Sequence, residues 1–413
     1  MSRAARTPRL AAVLPTLLAA AALAACARAP EPPAPRCAVG TCDWSPVTRY
    51  LDSAVASGAA PGAVLGVSIA GERFVYGTGR LGLADSTRPG PRTVYDLASL
   101  TKVVGLTTAA MMAVDEGRLD LDAPVQRYVP EFAGPERARV TIRHLLTHSS
   151  GLPAWRPLYR EAATRAEALA LADTTPLEAE PGTRFTYSDL GAIVLTQALE
   201  RLYGTRLDTL LERRLFRPLR LRDTRYLPPP AWLPRIAPTE NDPWRGRILR
   251  GEVHDENAAR LDGVSGHAGL FASAADLLTF GEWLLGERDT ASAAGRAGVT
   301  RPGVAPMFFR RQALPPGSSR ALGWDTPSEG SSGGTRLSAH AFGHTGFTGT
   351  SIWIDPDRRL VIVLLSNRVH PTRENNRWGP VRGRVADLVV GTLASAPAEA
   401  PAGAPAEPRP GTE

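Results

Sequence analysis

Apolar residues recur at helical spacing from Val47 to Ser57, and Gly58 ends the run. Two strand-like runs follow, Gly62 to Ile69 and Glu72 to Gly79, joined by Ala70-Gly71 in the manner of a hairpin. A helical pattern starts near Ser99 and continues through Leu106, Ala110, Met111 and Val114 to Gly117. From there to about residue 315 the periodicity is mostly helical, over 140–148, 161–171, 189–202, 207–215 and 274–285, with Pro-rich loops between. Strand-like runs return at 321–324, 351–354 and 360–365, the last two flanking the turn signal Asp355-Pro356-Asp357-Arg358. A closing helix is expected over 381–393. Strands therefore lie at both ends of the chain and a long helical block lies between them. The pattern predicts an α+β fold: an antiparallel sheet built from both chain ends, flanked by helices, with an inserted α-rich lobe. A cleft between the lobes is the expected binding site.

The flanks read differently. Arg3, Arg6 and Arg9 precede an apolar run, Leu10 to Ala25, that is shorter than the ~20 residues of a spanning helix. It ends in Leu23-Ala24-Ala25-Cys26, which resembles a bacterial lipobox. Residues 1–25 are thus expected to be a lipoprotein signal peptide and Cys26 the lipidation site. Residues 26–43, rich in Pro, read as a stiff tether. Ala27 after the Cys implies an outer-membrane destination facing the periplasm if the host is Gram-negative. Cys37 and Cys42 would then sit in an oxidising compartment, where a small disulfide loop and two free thiols are both open. Residues 44–394 are the expected catalytic domain, and 395–413 form a Pro/Ala/Glu tail too poor in large apolar residues to fold.

At 413 residues and 43% hydrophobic, the chain supports a core large enough for two lobes. The formal charge is +7. The Arg residues are scattered and no basic run is interleaved with aromatics, so nucleic acid is not an expected partner. The positive charge has one peculiarity. Of 48 Lys+Arg, only position 102 is Lys. Guanidinium stays protonated at any working pH, whereas a desolvated amine can shed and regain its proton.

Lys102 stands three residues after Ser99, which places the two side chains on one helix face. A serine nucleophile needs a base. Lysine serves only if its pKa falls toward 7, a shift of ~3 units or about 4 kcal/mol, supplied by burial and nearby positive charge. Alone the spacing is a weak signal. Two further motifs follow. Tyr187-Ser188-Asp189 sits just before a helix, where Ser188 or Asp189 also makes a good cap. His344-Thr345-Gly346 precedes an apolar strand, where the Gly also suits a close backbone approach.

Ser-x-x-Lys, Tyr-Ser-Asp and His-Thr-Gly, in this order and over this length, resemble the serine β-lactamase and penicillin-binding protein superfamily, in particular its class C β-lactamase-related branch. The segments 144–153 and 266–273 add to the likeness, which covers about residues 45–393. The resemblance implies that Ser99 forms an acyl-enzyme, that Lys102 shares or relays its proton, and that Tyr187 acts as general base and acid. It places the oxyanion hole at the backbone N–H groups of Ser99 and Phe347, and the substrate along His344, Thr345 and Gly346. It implies no metal, no organic cofactor and a monomer. The substrate would be a small molecule: a peptidoglycan D-Ala peptide, a β-lactam or a small ester.

Two positions depart from the commoner pattern. His344 stands where Lys is frequent, so grip on a substrate carboxylate would be weaker or pH-dependent. Asp189 stands where Asn is frequent, and would either support the Lys102 charge or repel an anionic substrate. Both put efficient β-lactamase activity in doubt and leave peptidase or esterase activity open.

Other readings lose on specific residues. Gly-x-Ser-x-Gly does not occur. His144 and His148 have zinc-like spacing, but Leu145 breaks the metalloprotease pattern. His254-Asp255-Glu256-Asn257 reads as a loop near the cleft. The alternative from a different class is a non-turnover penicillin-binding sensor or scaffold that is acylated and never released.

Overall fold

The structure is a computed structural model and describes residues 37–288 and 304–395. The expected leader, the expected lipid site Cys26 and the tail beyond residue 395 lie outside the described residues. Among the described residues no helix is long and apolar enough to cross a membrane.

Five antiparallel strands form the main sheet, in the spatial order Glu72–Gly79, Gly62–Ile69, Leu360–Ser366, Ser351–Asp355, Phe342–Thr345. The central strand Leu360–Ser366 and its neighbour Gly62–Ile69 come from opposite ends of the chain: Val64 lies across from Leu365, and Val67 across from Ile362. The expected hairpin forms, with Ile69 opposite Glu72.

The period-2 alternation of Leu360–Ser366 explains how both faces are covered. Val361, Val363 and Leu365 point into the larger core, with Leu278, Phe280 and the helical lobe. Leu360, Ile362 and Leu364 point the other way, onto the helices Ser45–Ala56 and Gly379–Ala394 through Val47, Leu51, Val385 and Val389. Every residue of Gly62–Ile69 is buried for the same reason. A sheet buried on both faces is a stiff support for a site at its edge. Cys37 and Cys42 are disulfide-bonded, with 5.3 Å between their Cα atoms, and pack into the second core.

Several expected elements change. The 321–324 run is not a strand. Gly323, with φ +80°, folds it back so that Ala321 N–H donates to Trp324 O, and only the bridge Arg320–Asp325 remains. The 140–148 helix shrinks to Ile142–Leu146, capped by Thr141, and His148 has left-handed φ. The 161–171 helix divides into Leu158–Glu161 and Arg165–Thr174. A second, three-stranded sheet joins Val94–Asp96, Leu270–Ser273 and Arg225–Tyr226. These strands have two to four residues each, too few for periodicity to reveal.

Candidate active site

Ser99 is held by a short, heavily pinned segment. Asp96, at the end of a strand and buried, accepts from Ala98 N–H at 2.8 Å and from His254 N–H at 2.7 Å. Thr348 Oγ1 donates to Asp96 O at 2.7 Å, and Thr350 Oγ1 to Leu97 O at 3.0 Å. These contacts stabilise Ala98 at φ +44°, a conformation that costs a non-glycine residue on the order of 1 kcal/mol or more. The bend turns Ser99 out at the start of the helix. It leaves Ser99 just before the helical residues rather than on them, and Lys102 N–H donates back to Ser99 O at 3.0 Å.

The expected α-helix opens with a wide π turn, Lys102–Thr107, before the α-helical Thr108–Asp115. Thr108 Oγ1 donates to Val103 O, five residues back, at 3.1 Å. Such wide turns are common at functional sites, because they re-aim one side chain without ending the helix.

Lys102 is 3% exposed and its Nζ makes three contacts. It donates to Ser99 Oγ at 2.9 Å and to His267 O at 3.0 Å, and lies 2.6 Å from Asp189 Oδ1. The amine thus makes two hydrogen bonds and one close charge contact, and neither Asp189 Oδ1 nor the Tyr187 hydroxyl has a hydrogen-bond partner among the described residues. Burial by itself would pull the Lys102 pKa down, but Asp189 and then Tyr187 outweigh it and hold the amine above its ordinary value. This overturns the expected fall toward 7. The positive neighbours it required are outmatched by a carboxylate in direct contact.

Tyr187 and Asp189 come from the second motif. Ser188 caps the helix Asp189–Tyr203, accepting from Gly191 N–H, and donates its own hydroxyl to Pro153 O at 2.6 Å. Asp189 N–H donates to Ala154 O at 2.9 Å. The capping reading of Ser188 therefore holds, and its neighbours Tyr187 and Asp189 both lie beside Lys102. The Tyr187 ring lies 5.0 Å from Lys102 Nζ, 4.5 Å from the His148 ring and 5.9 Å from the His344 ring.

The third motif lies on the edge strand Phe342–Thr345 and the turn after it. A Cβ at Gly346 would stand 2.3 Å from Leu97 O and 2.2 Å from Thr350 Oγ1, so only glycine lets this strand approach the Ser99 segment. The N–H groups of Ser99 and Phe347 meet no backbone acceptor among the described residues. Phe347 is exposed at the rim, its ring stacked on His254 and under the Arg368 guanidinium.

Of the two expectations for His344, a weaker or a pH-dependent grip, its surroundings favour the first. His344 is buried. Burial, then Arg320 and Lys102, push its pKa well below 6.5, so the ring is neutral. Its Nδ1–H donates to Thr345 O at 2.8 Å, which leaves Nε2 as a buried acceptor with no partner among the described residues. A permanent positive charge comes instead from arginines that no motif marked. The cavity beside Ser99, about 470 Å³, is lined by Tyr187, His344 and Thr345 and by Arg320, Arg368 and Arg382. Arg320 comes from a loop tied to the His344 strand by paired 2.9 Å bonds between Asp325 and Gly343. Arg368 follows the strand Leu360–Ser366 and donates from Nε to Phe347 O at 2.8 Å. Arg382, in the first turn of the closing helix, donates to Gly346 O at 2.7 Å.

The His254 loop lies near the cleft, as expected, but supports rather than lines it. Asp255 caps the helix Glu256–Arg260 and pairs at 2.8 Å with His267, whose carbonyl holds Lys102. Among the described residues no three metal-binding side chains cluster.

Comparison with known proteins agrees with this geometry. The sequence model of the Beta-lactamase family matches residues 47–386. An N-acetylmuramyl-L-alanine amidase of Bacillus subtilis is 33% identical over 309 residues, covering 68% of this chain and 69% of that protein. A putative D-alanyl-D-alanine carboxypeptidase of Salmonella paratyphi B is 31% identical over 355 residues, covering 75% of this chain and 80% of that one. Among solved structures, EstCE1, a hydrolase with promiscuous acyltransferase activity, superposes with a TM-score of 0.67 at 23% identity, covering 84% of this chain and 97% of that one. A class C β-lactamase from Rhodobacter sphaeroides gives 0.66 at 24%, covering 84% and 99%. A pinned Ser99, a buried lysine against it and a glycine-dependent strand alongside thus sit in a fold shared with penicillin-binding protein homologues, and the chain belongs to the Beta-lactamase family of serine hydrolases.

Proposed function

We propose that this protein hydrolyses small amides or esters through an acyl-enzyme on Ser99, and that the group it expels carries a carboxylate. The observation that carries the reading is the 2.9 Å contact between Ser99 Oγ and a lysine held charged by Asp189, at the mouth of an arginine-lined cavity.

A charged Lys102 accepts a proton only while releasing one. Ser99 Oγ attacks the substrate carbonyl carbon and its proton passes to Lys102. Lys102 passes one of its own to Tyr187, and Tyr187 gives its hydroxyl proton to the departing nitrogen or oxygen as the C–N or C–O bond breaks. Lys102 ends as ammonium, Tyr187 as phenol and Asp189 as carboxylate, so one proton has moved from Ser99 to the leaving group. The N–H groups of Ser99 and Phe347 receive the negative charge that develops on the carbonyl oxygen. Hydrolysis runs the relay backwards: water attacks the acyl carbon, its proton passes to Tyr187, and Ser99 Oγ regains a proton from Lys102.

The arginines supply the fixed positive charge that a neutral His344 does not, which favours a carboxylate in the leaving group. The names of the two curated relatives point the same way, toward amide bonds of peptidoglycan-type peptides. On this reading the leader and Cys26 tether the enzyme to the cell envelope, where such peptides are found.

The test is acylation and release. Residues 27–413 should hydrolyse a short-chain nitrophenyl ester and a D-Ala-D-Ala peptide, and Ser99→Ala should abolish both. Activity that survives Ser99→Ala refutes the nucleophile. Stable labelling of Ser99 with no product over hours replaces the enzyme with a non-turnover binding protein.

A further inference from the structure

The charge lining the cavity does not balance. Three arginines face one carboxylate, Asp325, for a net +2, while Lys102 and Asp189 cancel each other. Buried guanidinium without a counter-ion is costly, and a site retains it where a ligand completes the pairing.

The three are not equivalent. Arg368 is spoken for by the fold: it donates to the carbonyls of Phe347, Arg373 and Asn375, at 2.8, 3.1 and 2.8 Å. Arg320 is only 6% exposed, donates to Gly323 O at 3.2 Å, and has no partner for Nε among the described residues. Its nearest carboxylate, Asp325, is 3.9 Å away and already accepts from Ser319 Oγ at 2.7 Å and Thr326 N–H at 3.0 Å. Arg382 spends one donor on Gly346 O, and its Nε is likewise unpartnered. Burial depresses the pKa of all three, that of Arg382 to about 10, as expected of cations short of counter-charge.

Arg320 and Arg382 come from different elements. Arg320 stands on the Tyr187 side, 5.9 Å from that ring, and Arg382 stands against Gly346. They make two anchors rather than one fork. We propose that the site selects a leaving group with two carboxylates, one met by Arg320 and one by Arg382. An acidic amino acid or a hydroxy diacid has this chemistry. The proposal rests on the acyl-enzyme reading of Ser99 and extends it from a single carboxylate to a pair.

Esters of one N-acyl-D-alanine test it, with three alcohols: hydroxyacetamide, lactate and malate, bearing zero, one and two carboxylates. Hydrolysis breaks the ester C–O bond and releases the alcohol, whose oxygen takes the relayed proton. In the parent protein kcat/KM should rise about tenfold or more with each carboxylate, the scale of one charge-assisted hydrogen-bonded pair. Of Arg320→Gln and Arg382→Gln, the variant that loses the arginine meeting malate's second carboxylate should collapse the malate-to-lactate ratio toward one, and the other should collapse the lactate-to-hydroxyacetamide ratio. Those ratios are the readout, so a general loss of rate does not mimic the result. A parent that does not prefer malate over lactate overturns the proposal without any variant, and so do ratios unchanged in both variants. Calorimetry on Ser99→Ala separates this from failure of the mechanism. If malate ester binds there about tenfold more tightly than lactate ester although the parent shows no turnover, the paired-anion site stands and the acyl-enzyme reading falls. Equal binding removes the site.

Discussion

The two walls of the cavity handle charge in opposite ways. On the Ser99 wall, a buried cation is matched at 2.6 Å by Asp189 and braced by His267 O. On the His344 wall, buried guanidiniums outnumber carboxylates and two Nε groups have no partner among the described residues. The same low dielectric therefore does different work on each side. Where the partner is built in, burial fixes one protonation state and one geometry. Where it is missing, burial stores an unmet demand that a substrate anion satisfies. The reacting wall has its charge balanced before substrate arrives, although the Tyr187 hydroxyl and Asp189 Oδ1 lack hydrogen-bond partners among the described residues, and the selecting wall does not.

The sharpest way to break this contrast is at Lys102. If the reacting wall needed only a cation, Lys102→Arg would preserve it. A relay needs an amine that can release a proton, and guanidinium cannot. Lys102→Arg should lower kcat by about 10³-fold on a neutral ester, within the usual range for proton-transfer groups. A variant within tenfold of the parent would show that position 102 serves charge alone.

Asp189→Asn tests how the reacting wall is set, with a smaller expected effect. With the carboxylate present the folded Lys102 pKa lies above the ordinary value, so its charge persists below that value and is lost only as pH rises past the raised one. Without the carboxylate, burial is opposed by Tyr187 alone and the amine loses its proton at lower pH. The alkaline limb of the pH–rate profile should move down, with the rate at pH 7.5 within about tenfold of the parent, since an amide can still accept from Lys102. An unmoved limb would mean that Asp189 is not what holds the charge.

The reacting wall was also the more legible of the two. Ser99 and Lys102, three residues apart, and Tyr187 and His344 within compact motifs are local signals, and the central sheet announced itself by short strand-like apolar runs and by the Ala70-Gly71 turn. The selecting wall was hidden because Arg320, Arg368 and Arg382 reach it from a loop, a strand end and a helix. In a chain of 47 arginines nothing local singles out three. The sign of the Lys102 shift was hidden as well. It depends on a distance to Asp189 across 87 residues of sequence, and the desolvation visible in principle from burial points the wrong way.

His344 gives the smallest expected effect and the finest test of the contrast, because it lies on the selecting wall yet carries no charge there. Burial and two neighbouring cations depress its pKa, so the folded protein keeps it neutral while the unfolded chain protonates it near 6.5. Its contribution to stability is therefore complete above about pH 6.5 and is lost as pH falls toward the depressed folded value. His148, also buried and depressed, acts in the same direction. From pH 7.5 to 6, KM for a carboxylate substrate should stay within about twofold, because the gripping groups are arginines that do not titrate there. The melting temperature should begin to fall over the lower part of the same interval. A KM that tightens severalfold toward pH 6 would mean that His344 takes up a proton with substrate bound, and would return part of the anion grip from the arginines to the third motif.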